Sequence, residues 1–253
     1  MPHTDYSYLV SIIMPSYNCE SFIKASIKSV IAQEYENWEL LISDDCSNDD
    51  TLKIIKSYCD KDIRISMITS NTNLGPAVSR NKAIEKAKGR FIAFLDSDDL
   101  WSPQKLSKQI PFMVKNKIAL CYTRYNSIDA KGELIKQAPA LPLKIDYNGL
   151  LKNQVIGCLT AVYDTELCGK VFMPIIDKRQ DFGLWLKILK QGQTAYLLNE
   201  VVAKYRIRQN SVSSNKFVAI YFTWKLFREV ENLPFLKSFY CLINCIFNRL
   251  KRQ

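Results

Sequence analysis

Four times within the first 116 residues a short apolar run rich in β-branched or aromatic side chains gives way to a polar loop and then to apolar residues at helical spacing. The first run is Leu9 to Met14, closed by Pro15, and Ile23, Ile27, Val30 and Ile31 follow at steps of three and four, which predicts a strand and then a helix. Trp38 to Ser43 before Asp49 to Tyr58, Ile63 to Thr69 before Gly75 to Lys88, and Arg90 to Leu95 before Ser102 to Asn116 repeat the alternation. Such a chain folds as an α/β protein, a mostly parallel, Rossmann-like sheet with helices on both faces and right-handed crossovers. Its ligands belong beyond the carboxyl ends of the strands. After about residue 120 the pattern loosens to a strand at Leu159 to Tyr163, a helix from about Asp181 to Lys190, a strand at Ala195 to Ala203, and helix from Ser213 onward.

No linker or repeat divides the 253 residues, so we expect one domain with an appendage. The net charge of +10 is lopsided, because residues 201–253 hold ten basic and two acidic side chains and so account for +8 of it. A basic end of this kind suits an anionic partner: ligand phosphates, nucleic acid or an acidic membrane face. Eight cysteines include no C-x-x-C pair, and His3 is the only histidine, which excludes His-based zinc sites and Ser-His-Asp or Cys-His catalysis. Met1 to Tyr8 is polar and carries no apolar leader, so we expect reduced thiols in a cytosolic protein.

The strand ends carry the chemistry. Asp96-Ser97-Asp98-Asp99 follows the buried run Phe91 to Leu95, and the strand period of two turns Asp96 and Asp98 the same way. Paired carboxylates without histidine or thiolate partners suit Mg²⁺ or Mn²⁺, the rest of the shell coming from water and substrate phosphates. A bare acidic turn capping the next helix is the alternative. Asp44-Asp45 closes the second strand and could equally be turn and cap chemistry. Beside Pro15-Ser16-Tyr17-Asn18, however, it offers an aromatic face in Tyr17 and an acceptor in Asp45, which a nucleobase with an N–H edge requires. Arg80, one helical turn past Gly75-Pro76, adds a fixed cation.

Val10 to Asn18, Ile42 to Asp49, Asn73-Leu74-Gly75 with Arg80-Asn81, and Phe94 to Trp101 together resemble the family 2 glycosyltransferases of the GT-A fold, in that family's order and spacing over about the first 120 residues. The resemblance implies inverting transfer of a sugar from a nucleotide diphosphate donor, with UDP favoured. It puts Pro15, Tyr17, Asn18 and Asp45 at the nucleotide, Arg80 and Ser97 near the donor, and Asp96 and Asp98 at ribose and metal. Arg179-Gln180-Asp181 to Lys187 is similar to the family's Glu-Asp segment. Gln180 replaces the usual Glu, and Asp181 remains as the implied general base, with a helix N-cap as its other role. Relatives commonly have a histidine where this chain has Arg208. Because Arg cannot ligate a metal, we expect Arg206 and Arg208 to clamp diphosphate oxygens instead. These readings divide the chain into a GT-A domain at 1–212, with a nucleotide-sugar half to about 120 and an acceptor half to 212, and a tail at 213–253.

That tail contains the apolar stretch Phe239 to Phe247 followed by Arg249, Lys251 and Arg252. As a helix the stretch spans only about 14 Å at ~1.5 Å per residue, under half of the ~30 Å hydrocarbon core. It suits an amphipathic helix lying on an anionic membrane surface. Packing on the domain or against a second copy in a homodimer is the alternative. The resemblance implies a hexose or N-acetylhexosamine transferred to a polyprenyl-diphosphate-linked saccharide in O-antigen, capsule or teichuronic-type polysaccharide synthesis, at the inner face of the membrane. A nucleotidyltransferase making an activated sugar would want a glycine-rich loop after the first strand, where none stands. A non-catalytic membrane-recruiting relative would not need Asp45, Asp96, Asp98 and Asp181 together. Nucleic acid is not an expected partner, because the basic excess sits beside an apolar tail.

Overall fold

The computed structural model describes residues 7–207 and 216–251. The predicted alternation is present as β1 (Val10–Ser16), α1 (Glu20–Ile31), β2 (Trp38–Asp44), α2 (Thr51–Cys59), β3 (Ile65–Thr69), α3 (Pro76–Lys86) and β4 (Phe91–Phe94). After it come β5 (Leu100–Trp101), α4 (Lys105–Asn116), β6 (Leu120–Ile128), β7 (Leu134–Lys136), β8 (Lys144–Ile145) and α5 (Tyr147–Lys152). A 3₁₀ turn at Cys158–Thr160 leads to β9 (Val162–Asp164), α6 (Thr165–Cys168), α7 (Gln180–Leu189) and β10 (Ala195–Arg206).

The strands form one sheet in the order β3-β2-β1-β4-β9-β6-β10-β5, with β7 beside β6 and β8 beside β10. The pairs β1–β2, β2–β3, β1–β4 and β6–β10 are parallel, whereas β9 runs antiparallel to both β4 and β6. Strand periodicity divides the core in two. Ile13, Ile92 and Phe94 face one apolar layer with Phe182 and Trp185 of α7, while Ile12, Met14 and Ala93 face another with Ile23, Ile27, Ile55 and Ile110 of α1, α2 and α4. Both faces being covered, the central strands read as nearly unbroken apolar runs. α3 starts sharply because Gly75 takes φ 85° and Pro76 occupies the first turn, the conformations those two residues supply at least cost.

The tail is helical, as expected, and one face of it packs on the core. The expected boundary at residues 212–213 lies outside the described residues. Beyond it run α8 (Lys216–Lys225), a π-helical turn at Leu226–Val230, and α9 (Phe235–Lys251) after Pro234. Leu226, Phe227, Leu233 and Cys241 are buried in the same apolar layer as α7. Buried Glu231 accepts hydrogen bonds from Tyr147 Oη at 2.6 Å and Lys190 Nζ at 3.3 Å. Small residues make this docking possible, Ser238 and Cys241 being the buried positions of α9. The Cys245 thiol donates to Leu151 O and Asn248 Nδ2 to Lys152 O. The opposite face of α9 stays exposed. No described helix is long and apolar enough to cross a membrane.

Lys105 is fully buried between α4 and the sheet, its ammonium 4.5 Å above the Trp101 ring and 2.5 Å from Gln109 Oε1. Burial pulls its pKa down to about 7, with the nearby Cys121 thiol opposing. The folded chain therefore holds this proton less tightly than the unfolded chain, and stability rises with pH above about 7. Replacing Lys105 by Met removes the dependence. In urea unfolding between pH 7 and 9, below the range in which the buried Cys121 thiol titrates, the wild type should gain stability relative to Lys105→Met at about 1.4 kcal/mol per pH unit.

Candidate active site

Parallel register brings the ends of β1, β2 and β3 level, with Ser16 opposite Asp44 and Asp44 opposite Thr69. The loops beyond are laced together by side chains. Asp44 is fully buried and accepts from Ser16 Oγ, Ser47 N and Ser47 Oγ at 2.6–2.9 Å. Asn18 N–H donates to Ser47 Oγ, and Asn48 N–H donates to Asn18 Oδ1. Asn18 at φ 44° and Cys46 at φ 67° both adopt the left-handed conformation, which Asn tolerates and most residues with a side chain avoid. This lacing holds half-buried Pro15 at the strand end and leaves the Tyr17 ring 47% exposed above it.

Asp45 plays a different part from its neighbour. Its two oxygens accept from Leu74 N at 3.0 Å and Gly75 N at 2.7 Å, tying the loop after β3 to the end of β2. A carboxylate oxygen has a second lone pair, and those remaining acceptors are what a base N–H would meet. Beside this tie lies a cavity of ≈ 240 Å³ lined by Leu74, Gly75, Pro76, Ala77, Ile175, Ile176 and Asp177.

At the end of β4 the structure brings Arg80, Asp96, Asp98, Asp99, Cys158 and Asp181 together. Arg80 is 7% exposed and its Nη2 lies 2.5 Å from Asp96 Oδ1. Burial works against the guanidinium charge, but Asp96, Cys158 and Asp181 together outweigh it and hold the group above its ordinary value. Arg80 Nε is buried with no acceptor among the described residues. Asp96 and Asp98 are partly exposed, and Ser97 between them is buried beside the Cys19 thiol. Asp99 is buried, accepts from Arg206 N at 2.8 Å, and has its carboxyl pushed well up by burial and by the charges of Asp98 and Asp96.

The partly exposed carboxylates of Asp96 and Asp98 stand together at the end of β4, and hard oxygen donors of this kind fit Mg²⁺ or Mn²⁺. Among the described residues no preformed cluster of three ligands exists. Asp96 and Asp98 are therefore the residues that could hold such an ion, with phosphate and water completing the shell.

Asp181 sits in the first turn of α7, one residue inside the helix start. This position is not the N-cap, which falls on Arg179 at φ 70°. Burial pushes the Asp181 carboxyl above the ordinary range, Arg179 and Arg80 pull it down, and Asp96 adds to the rise. Gln180, where the family has Glu, is buried and spends its amide on Asp177 O.

Residues 11–168 match the model of the glycosyl transferase family 2. The chain belongs to that family. It is 43% identical to TuaG of Bacillus subtilis, named for teichuronic acid biosynthesis, over 99% of both chains. It is 44% identical to WfgD of Escherichia coli, a UDP-Glc:alpha-D-GlcNAc-diphosphoundecaprenol beta-1,3-glucosyltransferase, over 97% of this chain and 95% of that one. Among solved structures, Staphylococcus aureus TarS in complex with UDP-GlcNAc superposes with TM-score 0.71 at 21% identity, covering 92% of this chain and 70% of that one. The mannosyltransferase PcManGT of Pyrobaculum calidifontis with GDP-Man and Mn²⁺ gives 0.72 at 16% identity, covering 96% and 70%. The fold is GT-A and the chain is a glycosyltransferase.

Arg206 requires correction. Its guanidinium is 6% exposed and donates to Asp98 O at 2.8 Å and to Asp129 O and Ala130 O at 2.9 Å. It also lies 5.1 Å over the Phe22 ring. Buried carbonyls from two loops need donors, and Arg206 supplies them, so it holds the acidic loop rather than a diphosphate. Arg208 lies outside the described residues. Three further residues were given no role of their own from the sequence. Cys158 stands among the charges, its thiol pushed well up by burial, with Arg80 opposing and Asp96, Asp181 and Asp99 reinforcing. Asn81 exchanges both amide bonds with the Met173 backbone and so fixes the approach to α7. Arg179 precedes the candidate base in a strained backbone. Its residue type in the family's Glu-Asp segment was the one available signal.

Arg206→Met should leave the Asp98 and Ala130 carbonyls without their donor, reduce Asp129 O to its bond from Gly132 N–H, and loosen the acidic loop. We expect a loss of about 2–4 kcal/mol in urea unfolding together with a weaker apparent affinity for Mn²⁺. Arg206→Lys, a point charge without the guanidinium fork, should restore little of either.

Proposed function

We propose that the protein is an inverting glycosyltransferase that moves a hexose or N-acetylhexosamine from a UDP-sugar to a hydroxyl of a lipid-diphosphate-linked saccharide, in surface polysaccharide synthesis of the O-antigen, capsule or teichuronic type. The observation that carries the reading is the half-buried Asp181 carboxyl, raised in proton affinity and feeling the charges of Arg80 and Asp96, which pair at the carboxyl edge of the sheet. The relatives named above support the donor and acceptor classes.

The residues divide the work as follows. Tyr17 and Asp45, with Pro15 and Asn18 behind them, receive the base, and Ser97 backs the acidic loop. Arg80 holds Asp96 in place, and its free Nε–H points to an acceptor brought by the donor. Mn²⁺ or Mg²⁺ on Asp98 and Asp96 would neutralise the leaving diphosphate. Asp181 takes the proton from the acceptor hydroxyl as that oxygen attacks the anomeric carbon from the face opposite the leaving group, which inverts the centre.

Asp181→Asn tests the base. The amide keeps the size and the backbone bond but cannot take a proton, so turnover should fall on the order of 10²- to 10⁴-fold with UDP-sugar affinity unchanged. A carboxyl whose folded pKa is raised costs stability once pH exceeds its unfolded value. Melting temperature at pH 7 should therefore be equal or higher in the variant. The wild-type product should show inverted anomeric configuration by NMR, and a retained product would exclude this mechanism. Asp98→Ala should abolish the stimulation by Mn²⁺, and EDTA should silence the wild type.

The division of the chain follows the same reading, with catalysis in 1–212 and membrane association in 213–253, on the cytoplasmic face of the membrane. On α9, Leu236, Phe239, Tyr240, Ile243, Phe247 and Leu250 recur at steps of three and four and are each 49–80% exposed, beside Lys237, Arg249 and Lys251. Since the inner face of α9 is part of the core, truncation would unfold the protein, and the test is substitution on the outer face. Phe239→Glu with Phe247→Glu should release the protein from phosphatidylglycerol vesicles in a flotation assay while leaving its melting temperature within a few degrees. Equal flotation of both forms would exclude the membrane face and favour a second copy of the chain as its cover.

A further inference from the structure

The cavity beside the Asp45 tie has no task in the mechanism above, and its two walls are firmly held. Leu74, 48% exposed, and Ile175, 77% exposed, line it with Pro76, Ala77, Ile176 and Asp177. Leu74 is fixed by Asp45, which accepts from its N–H and from that of Gly75. The wall that carries Ile175 is fixed to both neighbouring helices. Asn81 of α3 exchanges two bonds with the Met173 backbone at 2.8–2.9 Å, Lys187 of α7 donates to Phe172 O at 2.9 Å, and Gln180 Nε2 donates to Asp177 O at 2.7 Å. Pro174 rests so closely on α7 that a Cβ on Gly183 would lie 2.4 Å from its Cγ. Single exposed apolar residues are ordinary on a surface. Two that line one cavity from separate, anchored segments make a preformed apolar site. Both segments also lead into the candidate active site. Arg80 is three residues past Ala77, about 4.5 Å further along α3 at ~1.5 Å per residue. Asp181 is four residues past Asp177, so their Cα atoms are no more than about 14 Å apart even along an extended chain.

We propose that this cavity seats the pyranose ring of one of the two sugars in the reaction, with Leu74, Ile175 and Ile176 against its C–H faces and the Asp177 carboxylate accepting from its hydroxyls. This rests on the sugar-transfer reading above and adds the residues that select the sugar. The lining decides the ligand class. Among the described residues that form it there is no cation and no aromatic ring. A phosphate group would find no cationic side chain there, and Pro76 in the first turn of α3 has no N–H to offer. A nucleobase would have no ring to stack on. A lipid chain would have to desolvate the exposed Asp177 carboxylate, at a cost that nothing repays. A pyranose suits both kinds of surface, since its C–H faces shed water against aliphatic side chains and its hydroxyls donate to a group that only accepts. The Asp177 carbonyl is bonded to Gln180, and its carboxylate has no partner among the described residues. The volume of ≈ 240 Å³ is below the ~300–1,000 Å³ of pockets for drug-sized ligands and suits a single ring.

The test uses the full-length protein and two readouts. The first needs no catalysis: isoleucine δ1-methyl NMR signals, with those of Ile175 and Ile176 assigned through Ile175→Val and Ile176→Val. The probes are UDP, UDP-glucose, UDP-N-acetylglucosamine and the methyl glycosides of the same two sugars. If the ring is the donor's, a UDP-sugar should move both signals beyond their positions with UDP alone. If it is the acceptor's, a methyl glycoside added to the UDP complex should move them. The second readout is affinity in Asp177→Ala and Ile175→Ser, both at exposed positions, whose melting temperatures should stay within a few degrees of wild type. Asp177→Ala should weaken binding of the sugar roughly tenfold or more, Ile175→Ser several-fold, and Asp177→Glu should keep part of the affinity. A donor ring shows as a raised dissociation constant for the UDP-sugar with that for UDP unchanged. An acceptor ring shows as a raised KM for the lipid-linked saccharide with UDP-sugar affinity unchanged. Methyl signals that no sugar probe moves, with both constants at wild-type values in both variants, would overturn the proposal. Equal weakening of UDP and UDP-sugar would overturn it too, by making the cavity part of the base site. If the wild type transfers no sugar but a sugar probe moves the two signals, the seat stands and the catalytic reading falls.

Discussion

The parallel register of β1 with β2 and β4 is the constraint on which the site depends. Once Ser16 lies opposite Asp44 and Ile13 opposite Phe94, the polar loops that follow β1 and β2 must emerge side by side, close to the acidic loop that follows β4. A slip of one residue would turn Ile13 and Phe94 into the wrong apolar layer, so the two cores police the alignment of the loops. Asp44 then converts alignment into rigidity. It is a buried carboxylate whose charge is met by two hydroxyls and a backbone N–H rather than by a cation, and removal of any partner would leave part of that charge unsatisfied.

Adjacent Asp44 and Asp45 show how much a motif leaves open. The sequence places an acidic pair at the end of a strand, and both residues could be turn chemistry. In the structure Asp44 serves the inside of the loop, through Ser16 and Ser47, and Asp45 serves the outside, through Leu74 and Gly75. The alternation of side chains along an extended segment separates them, but which one faces inward depends on the register of β2 against β1. A single sequence shows the pair without showing that register.

Legibility falls with sequence separation. The first four strands and their helices lie close to their expected places because each is fixed by apolar periodicity over a few residues. Arg206 could not be placed in the same way. It was read with Arg208 as a diphosphate clamp standing in for the histidine of relatives, yet its acceptors are the carbonyls of Asp98, Asp129 and Ala130, some 76 to 108 residues earlier. The same is true of Trp101 and Gln109, whose N–H groups hold Leu159 O and Thr160 O and so set Cys158 among the charges. The tail was legible in its outer face and illegible in its inner one. The apolar run Phe239 to Phe247 before Arg249, Lys251 and Arg252 announced an amphipathic helix, whereas Ser238 and Cys241, small residues with no apolar signature, are what let α9 dock.

A cost follows from this placement of charge. Asp99 and Asp181 have raised proton affinities, Arg179 a lowered one, and Arg80 carries an unmet N–H, all within one cleft. Each is a group that the folded chain holds less comfortably than water would. Lys105 adds the same kind of cost beneath the site. Stability at a marginal protein's disposal is limited to some 5–15 kcal/mol, so this concentration of strained electrostatics has to be offset elsewhere. The two apolar layers and the inward face of the tail helices provide that offset. The tail therefore has two faces with different uses, inward to the stability that the cleft consumes and outward as an exposed apolar stripe, and a single helix of 17 residues can carry both because its faces are independent at a period of 3.6.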